Sequence, residues 1–198
     1  HDAYYKKRGP KDDIANYKTS DFKVPNELSN VMRDYQVDAY KWMKTLVKYN
    51  FCGILADDMG LGKTIQILSV IMSYTNSKNE QDRKASLVVS PSSLALNWES
   101  EAKKFAPELK TLVISGPSFE RKRQISSIDN YDLVITSYDL LKRDIEYYNE
   151  KNYHFKYVIA DEAQYLKNSN TQNATAIKLL QADTRYALTG TPMENSLS

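Results

Sequence analysis

The run Ala56-Asp57-Asp58-Met59-Gly60-Leu61-Gly62-Lys63-Thr64 constrains this chain more than any other segment. An apolar stretch, Phe51 to Leu55, precedes it, and an amphipathic one, Ile65 to Tyr74, follows. Strand, glycine-rich loop and helix in that order is the setting that a phosphate-binding loop requires. Glycines let the backbone curl, so that successive N–H groups point at phosphate oxygens. The helix behind them adds its unpaired N–H groups and the positive end of its dipole. On this reading Asp58, Met59, Gly60, Leu61 and Gly62 line the cradle. Lys63 sets a point charge beside the β- and γ-phosphates, and Thr64 offers its hydroxyl to Mg²⁺. Asp57 stands where the general pattern G-x-x-x-x-G-K-[ST] has its first glycine.

A second signal lies about a hundred residues downstream, where the apolar run Tyr157 to Ala160 ends in Asp161-Glu162-Ala163-Gln164. A carboxylate pair at the carboxyl end of a parallel strand sits on the edge where open α/β sheets bind ligands. Asp161 can hold Mg²⁺, directly or through water, and Glu162 can orient and deprotonate an attacking water. The plain alternative is an acidic helix N-terminus. The phosphate loop upstream argues for the catalytic reading.

The bulk numbers bound the rest. A length of 198 residues with 41% hydrophobic content is one ordinary domain with a substantial core. No apolar run approaches the ~20 residues of a membrane span, and no signal-peptide core is visible. The single cysteine, Cys52, excludes an intrachain disulfide and a cysteine-based metal cluster. It reads as a small buried hydrophobe in a reducing compartment. A net charge of +2 means that any nucleic-acid contact must come from a local face. The chain opens on His1 and closes at Ser198 without a polar tail, so both ends read as cuts through a longer protein.

Residues 1–30 are polar and aperiodic and read as a solvated linker or N-terminal extension; residues 31–198 read as the folded lobe. Val37, Tyr40, Met43 and Val47 predict an amphipathic helix over 32–49. Strand-like runs follow at 51–56, 86–90, 111–115, 132–136, 156–160 and 185–189. Helical patterns lie between most of them, at 63–75, 92–105, 118–128, 138–149 and 171–181. In the 92–105 helix Leu94, Trp98, Ala102 and Phe105 form a core stripe. Alternation of this kind implies an α/β fold with a mostly parallel sheet and helices on both faces. Arg121-Lys122-Arg123 and Lys142-Arg143 read as solvent-facing charge.

Taken in order, these segments resemble the first RecA-like P-loop NTPase lobe of superfamily-two helicase-like ATPases, and more closely the SWI/SNF family of double-stranded-DNA translocases. The resemblance spans about residues 20–198. Met32 to Met43, with Arg33 and Gln36, is similar to the family's adenine-reading segment, where a side-chain amide pairs with the base edge. Gly53 to Gln66 is close to its motif I, in which an Asp at the position of Asp57 is usual. Val89-Ser90-Pro91-Ser92-Ser93-Leu94 through Asn97-Trp98 resembles motif Ia, and Ile135-Thr136-Ser137-Tyr138-Asp139-Leu140-Leu141 resembles motif Ib. The resemblance implies DNA-backbone contact at Ser92, Ser93, Asn97, Thr136, Ser137 and Tyr138. Hydroxyls and helix-start N–H groups are suitable phosphate partners, and the same clusters can cap helices. Asp161 to Gln164 corresponds to motif II, with Gln164 where many relatives have His. Leu188-Thr189-Gly190-Thr191-Pro192 resembles motif III, which makes Thr189, Gly190 and Thr191 the expected coupling elements.

The resemblance implies ATP and Mg²⁺ as cofactors. The partners it implies are duplex DNA, a DNA-bound protein and a second RecA-like lobe with an arginine finger. That lobe is absent here, and the finger supplies ~10³–10⁵ in rate. The fragment is therefore expected to bind ATP weakly and to turn it over little or not at all. A bacterial source is expected, with the protein in the cytosol or nucleoid. The competing readings are a strand-separating helicase, a restriction-enzyme motor subunit and a non-catalytic nucleotide-gated module.

Overall fold

Hydrophobic residues that alternate between two buried faces build the centre of this molecule. The computed structural model describes residues 4–5, 50–56, 61–166 and 171–189. Within them the strands are β1 (Tyr4–Tyr5), β2 (Phe51–Ala56), β3 (Ser86–Ser90), β4 (Thr111–Val113), β5 (Leu133–Ser137), β6 (His154–Ala160) and β7 (Gln181–Thr189). The helices are α1 (Leu61–Asn76), α2 (Ala95–Phe105), α3 (Ser118–Ser126), α4 (Tyr138–Lys151) and α5 (Thr171–Leu179). The strands form one sheet in the order β1-β2-β7-β6-β3-β5-β4. β2 to β4 pair in parallel, and only β1 joins antiparallel, on β2.

In β3, Leu87 and Val89 face one core while Val88 faces the other. Val134 of β5 and Val158 and Ala160 of β6 point with the first pair, and Leu133, Ile135 and Ile159 with the second. All are essentially inaccessible to water. A strand with this burial must be covered on both sides. α1 and α2 cover one face through Ile67, Leu68, Ile71, Trp98 and Ala102. α3, α4 and α5 cover the other through Ile125, Leu141, Ile145, Tyr148, Ala176 and Ile177. The fold is thus the expected RecA-like α/β arrangement.

Several expectations are revised in detail. The helix over 32–49 and Cys52's side chain lie outside the described residues. β6 begins at His154 and β7 at Gln181, both earlier than the pattern suggested, because the two strands pair from His154↔Gln181 onward. β4 and α5 end two residues early. The arm read as solvated reaches the sheet, with Tyr4 opposite Ile54 and Tyr5 opposite Gly53. Phe105 is 41% exposed rather than core, since α2 ends there and the following Ala106 and Leu109 are buried in its place.

Arg121 is the clearest departure. Instead of facing solvent it is buried in a paired contact with Asp144. Its Nε donates to Oδ2 at 2.9 Å and its terminal nitrogen to Oδ1 at 2.9 Å, while the other nitrogen donates to the Gly116 carbonyl at 2.8 Å. The pair clamps α3 to α4 and to the turn at Gly116, whose φ of +92° suits glycine alone. Deleting one partner of such a pair strands the other charge. Arg121→Ala should therefore cost about 3 kcal/mol, less than a pair at the centre of the core would, because this one lies in the outer helical layer. Arg121→Met combined with Asp144→Leu should cost less than either single truncation. Urea unfolding of all three variants measures both differences.

Candidate active site

Parallel strands all end on one edge of the sheet, and the chain places its polar residues there. Ser90 is level with Ser137, Ala160 with Ala187, and Ala56 with Thr189. Leaving this edge, β2 leads into α1, whose first turn carries Gly62, Lys63 and Thr64. Lys63 is 4% and Thr64 8% exposed, and no hydrogen bond or ion pair among the described residues holds either side chain. A buried ammonium and hydroxyl at a helix start, held by no hydrogen bond or ion pair among the described residues, are suited to an anion and its cation.

Asp161 directly follows Ala160, the last residue of β6, and is 8% exposed. Its N–H donates to the Val89 carbonyl at 2.8 Å, which locks the backbone to β3. The Trp98 indole N–H donates to Oδ2 at 2.8 Å, and the Glu162 N–H donates to Oδ1 at 2.9 Å. The Tyr138 hydroxyl donates to the Asp161 carbonyl at 2.6 Å. Burial raises the Asp161 carboxyl above the usual carboxylate range; Trp98 and the Glu162 N–H pull it back, Glu162's charge raises it again, and Lys63 opposes that. Burial, with the charges of Asp161 and Glu162 beside it, pushes the Tyr138 hydroxyl well above its ordinary value, so it stays a donor.

Glu162 has φ of +48°, left-handed backbone that a side chain adopts at a cost. Its carboxylate accepts from Gln164 Nε2 at 2.5 Å, and Gln164 Oε1 accepts from the Thr189 hydroxyl at 3.4 Å. This relay joins the carboxylate pair to β7 by way of glutamine. The short 3₁₀ turn Ala163–Leu166 carries Tyr165, whose ring stacks on Tyr138 with centroids 5.5 Å apart.

Lys63, Thr64, Asp161, Glu162, Gln164 and Thr189 thus come to one edge. Arg33, Gln36, Asp58, Met59, Gly60, Gly190 and Thr191 lie outside the described residues, and Leu61 opens α1. Among the described residues no three metal-binding side chains cluster. The donors present, one carboxylate and one hydroxyl, fit Mg²⁺, which keeps waters and takes substrate phosphates as ligands.

Of the expected DNA contacts, Ser92 and Ser93, in the 3₁₀ turn Ser92–Leu94 that leads into α2, and Asn97, in the first turn of α2, are exposed. Thr136, Ser137 and Tyr138 are buried, at odds with side-chain contact to a phosphate. Ser137 instead caps α4, accepting from the Leu140 N–H at 3.2 Å. Ser92 and Ser93 make no side-chain cap to α2. Sequence reasoning placed Trp98 in the core, where it is, and missed its bond to Asp161; Trp98 and Asp161 lie 63 positions apart.

The Asp161 environment makes two predictions. A carboxyl group raised in the folded state weighs against stability once it ionises, so that part of the stability is present at low pH and lost as pH rises through the folded value. Asp161→Asn should therefore raise the melting temperature at neutral pH without ligand, a gain that disappears in acid. Glu162→Gly should be more stable than Glu162→Ala by about 1 kcal/mol, because glycine accepts the left-handed backbone. Thermal and urea unfolding test them.

Known proteins resemble this chain in sequence and in fold. Residues 35–198 match the model of the SNF2-related domain. The chain is 36% identical over 189 residues to the TATA-binding protein-associated factor mot1 of Aspergillus fumigatus, covering 91% of this chain and 10% of that protein. It is 39% identical over 185 residues to an uncharacterised ATP-dependent helicase of Mycoplasma genitalium, covering 93% of this chain and 17% of that protein. A solved Sulfolobus solfataricus SWI2/SNF2 ATPase core in complex with double-stranded DNA matches with 40% identity and a TM-score of 0.61, over 83% of this chain and 33% of that one. The core domain from the same organism matches at 36% identity and a TM-score of 0.57, over 96% and 37%. The chain spans a small part of these curated relatives and about a third of the solved cores.

Proposed function

The chain belongs to the SNF2-related domain family, and on that premise we propose that it is the ATP-binding lobe of a DNA-dependent ATPase that moves along duplex DNA to remodel or displace bound protein. The observation that carries this reading is the meeting of Lys63, Thr64, Asp161 and Glu162 on one sheet edge. The 40% identity to a core solved on double-stranded DNA points to the substrate.

Thr64 and Asp161 would hold Mg²⁺, which would supply charge neutralisation at the phosphates when bound, and Lys63 would add its charge beside the β- and γ-phosphates from the helix start. Asp58, Met59, Gly60, Leu61 and Gly62 supply backbone N–H groups, while Arg33 and Gln36 read the adenine. Glu162 orients the attacking water and accepts its proton. Gln164 steers the Glu162 carboxylate, and Thr189, with Gly190 and Thr191, passes the nucleotide state toward DNA. Ser92, Ser93 and Asn97 contact the DNA backbone, whereas Thr136, Ser137 and Tyr138 act from inside. A second RecA-like lobe supplies the arginine finger. The work is done where the chromosome is, in a bacterial cytosol or nucleoid. No helix among the described residues is long and apolar enough to cross a membrane.

Steady-state hydrolysis tests the reading. In the full-length protein duplex DNA should stimulate turnover, and Glu162→Gln should lower kcat by about 10²–10⁴ while Mg²⁺-ATP still binds. The 198-residue chain alone should bind Mg²⁺-ATP without measurable turnover. Turnover by the full-length protein that ignores both duplex DNA and the Glu162 substitution would sink the proposal.

A further inference from the structure

Two helices that begin on the site edge each send one aromatic donor to the same residue. α2 contributes Trp98, one position after exposed Asn97, and its indole donates to the Asp161 carboxylate at 2.8 Å. α4 contributes Tyr138, whose hydroxyl donates to the Asp161 backbone carbonyl at 2.6 Å. Both side chains are buried, Trp98 to 2% and Tyr138 to 3% exposure. Tyr138 also stacks on Tyr165 with ring planes 5° apart. Its hydroxyl therefore holds the residue before Glu162 and its ring holds one three positions after. Glu162 itself sits on left-handed backbone at φ +48°, a conformation that survives only when its neighbours determine it.

Core packing alone does not account for this pairing. A buried indole N–H needs an acceptor, but a backbone carbonyl would serve as well as a carboxylate, and a buried carboxylate that must bind a cation is aimed by whatever donates to it. The donor to Oδ2 rides on the helix whose exposed start carries Ser92, Ser93 and Asn97. A displacement of that start moves the indole and so re-aims Asp161.

We propose that Trp98 and Tyr138 are positioning residues that pass the placement of α2 and α4 to Asp161 and Glu162. Contact of a DNA phosphate backbone with the Ser92–Asn97 turn would in this way set the Mg²⁺ affinity of the nucleotide site. The inference rests on the translocase reading above and adds the route by which DNA reaches the chemistry.

The test uses the full-length protein and a fluorescent ATP analogue, with the Mg²⁺ concentration for half-maximal binding measured with and without duplex DNA. Duplex DNA should lower that concentration in the unmodified protein. Trp98→Phe, which keeps an aromatic ring and loses the donor, should raise it about tenfold and erase the DNA-dependent change. An isosteric benzothienylalanine at position 98 keeps the ring volume without the N–H and should do the same. Tyr138→Phe, which retains the stack on Tyr165, should shift it in the same direction. If Trp98→Phe does not fold, the isostere decides alone. An isostere that behaves like tryptophan would overturn the proposal, because the ring would then act through packing. A wild-type protein whose hydrolysis ignores duplex DNA overturns the translocase reading and the coupling with it. DNA-stimulated hydrolysis with an unshifted isostere overturns the coupling alone.

Discussion

A carboxyl group buried at the carboxyl end of a strand sets the terms for everything around Asp161. Taking such a group out of water costs several kcal/mol unless donors replace the water. Here an indole N–H, a backbone N–H and a nearby ammonium do so, and burial still wins in part, leaving the carboxyl raised. The remaining deficit is what a divalent cation would relieve. The starts of α2 and α4 are therefore specified by the site as well as by the core, since each must deliver a donor to one residue at the end of β6.

The sheet makes that delivery possible. Because β3, β5 and β6 are covered on both faces, α1 and α2 lie on one side and α3, α4 and α5 on the other. Asp161 is thus gripped from both layers, by Trp98 from the first and Tyr138 from the second. The buried Arg121–Asp144 pair then anchors α4 to α3 from behind. A rigid rear layer suits a helix whose first residue, Tyr138, holds the Asp161 carbonyl by a hydrogen bond.

Much of this was legible in the chain. The strand-like runs at 51–56 and 86–90 coincide with β2 and β3, and β3, buried at every position, needs no polar alternation. The motif order placed Lys63, Thr64, Asp161 and Glu162 at strand ends, and the structure brings the four to one edge of the sheet. What escaped was set by partners distant in sequence. Gln181 to Thr184 is polar and carries no strand pattern, yet it pairs with β6. Arg121 looks like surface charge until Asp144 is brought beside it. Trp98 satisfies a helical core stripe, so nothing local announces that its N–H serves a carboxylate. Thr136 and Ser137 have the composition of phosphate contacts, but the pairing of β5 with β3 turns them inward.

The two helix starts at the site edge are also not equivalent toward DNA. Helix N-termini favour negative charge, and a phosphate competes there with any acidic side chain. α4 has Asp139 in its first turn, exposed and already occupying that favourable position. α2 has no acidic residue in its first turn, and its exposed start offers hydroxyls and an amide. Asp139 also pairs with Lys142 at 3.2 Å, so in the proposed coupling a polyanionic backbone is favoured at α2 over α4. Trp98, which rides on α2, is then the moving arm of that coupling. Tyr138 is the fixed arm, held by Tyr165 and by a helix anchored through Asp144. A clamp with one fixed and one movable jaw can change its grip on Asp161 without losing the residue.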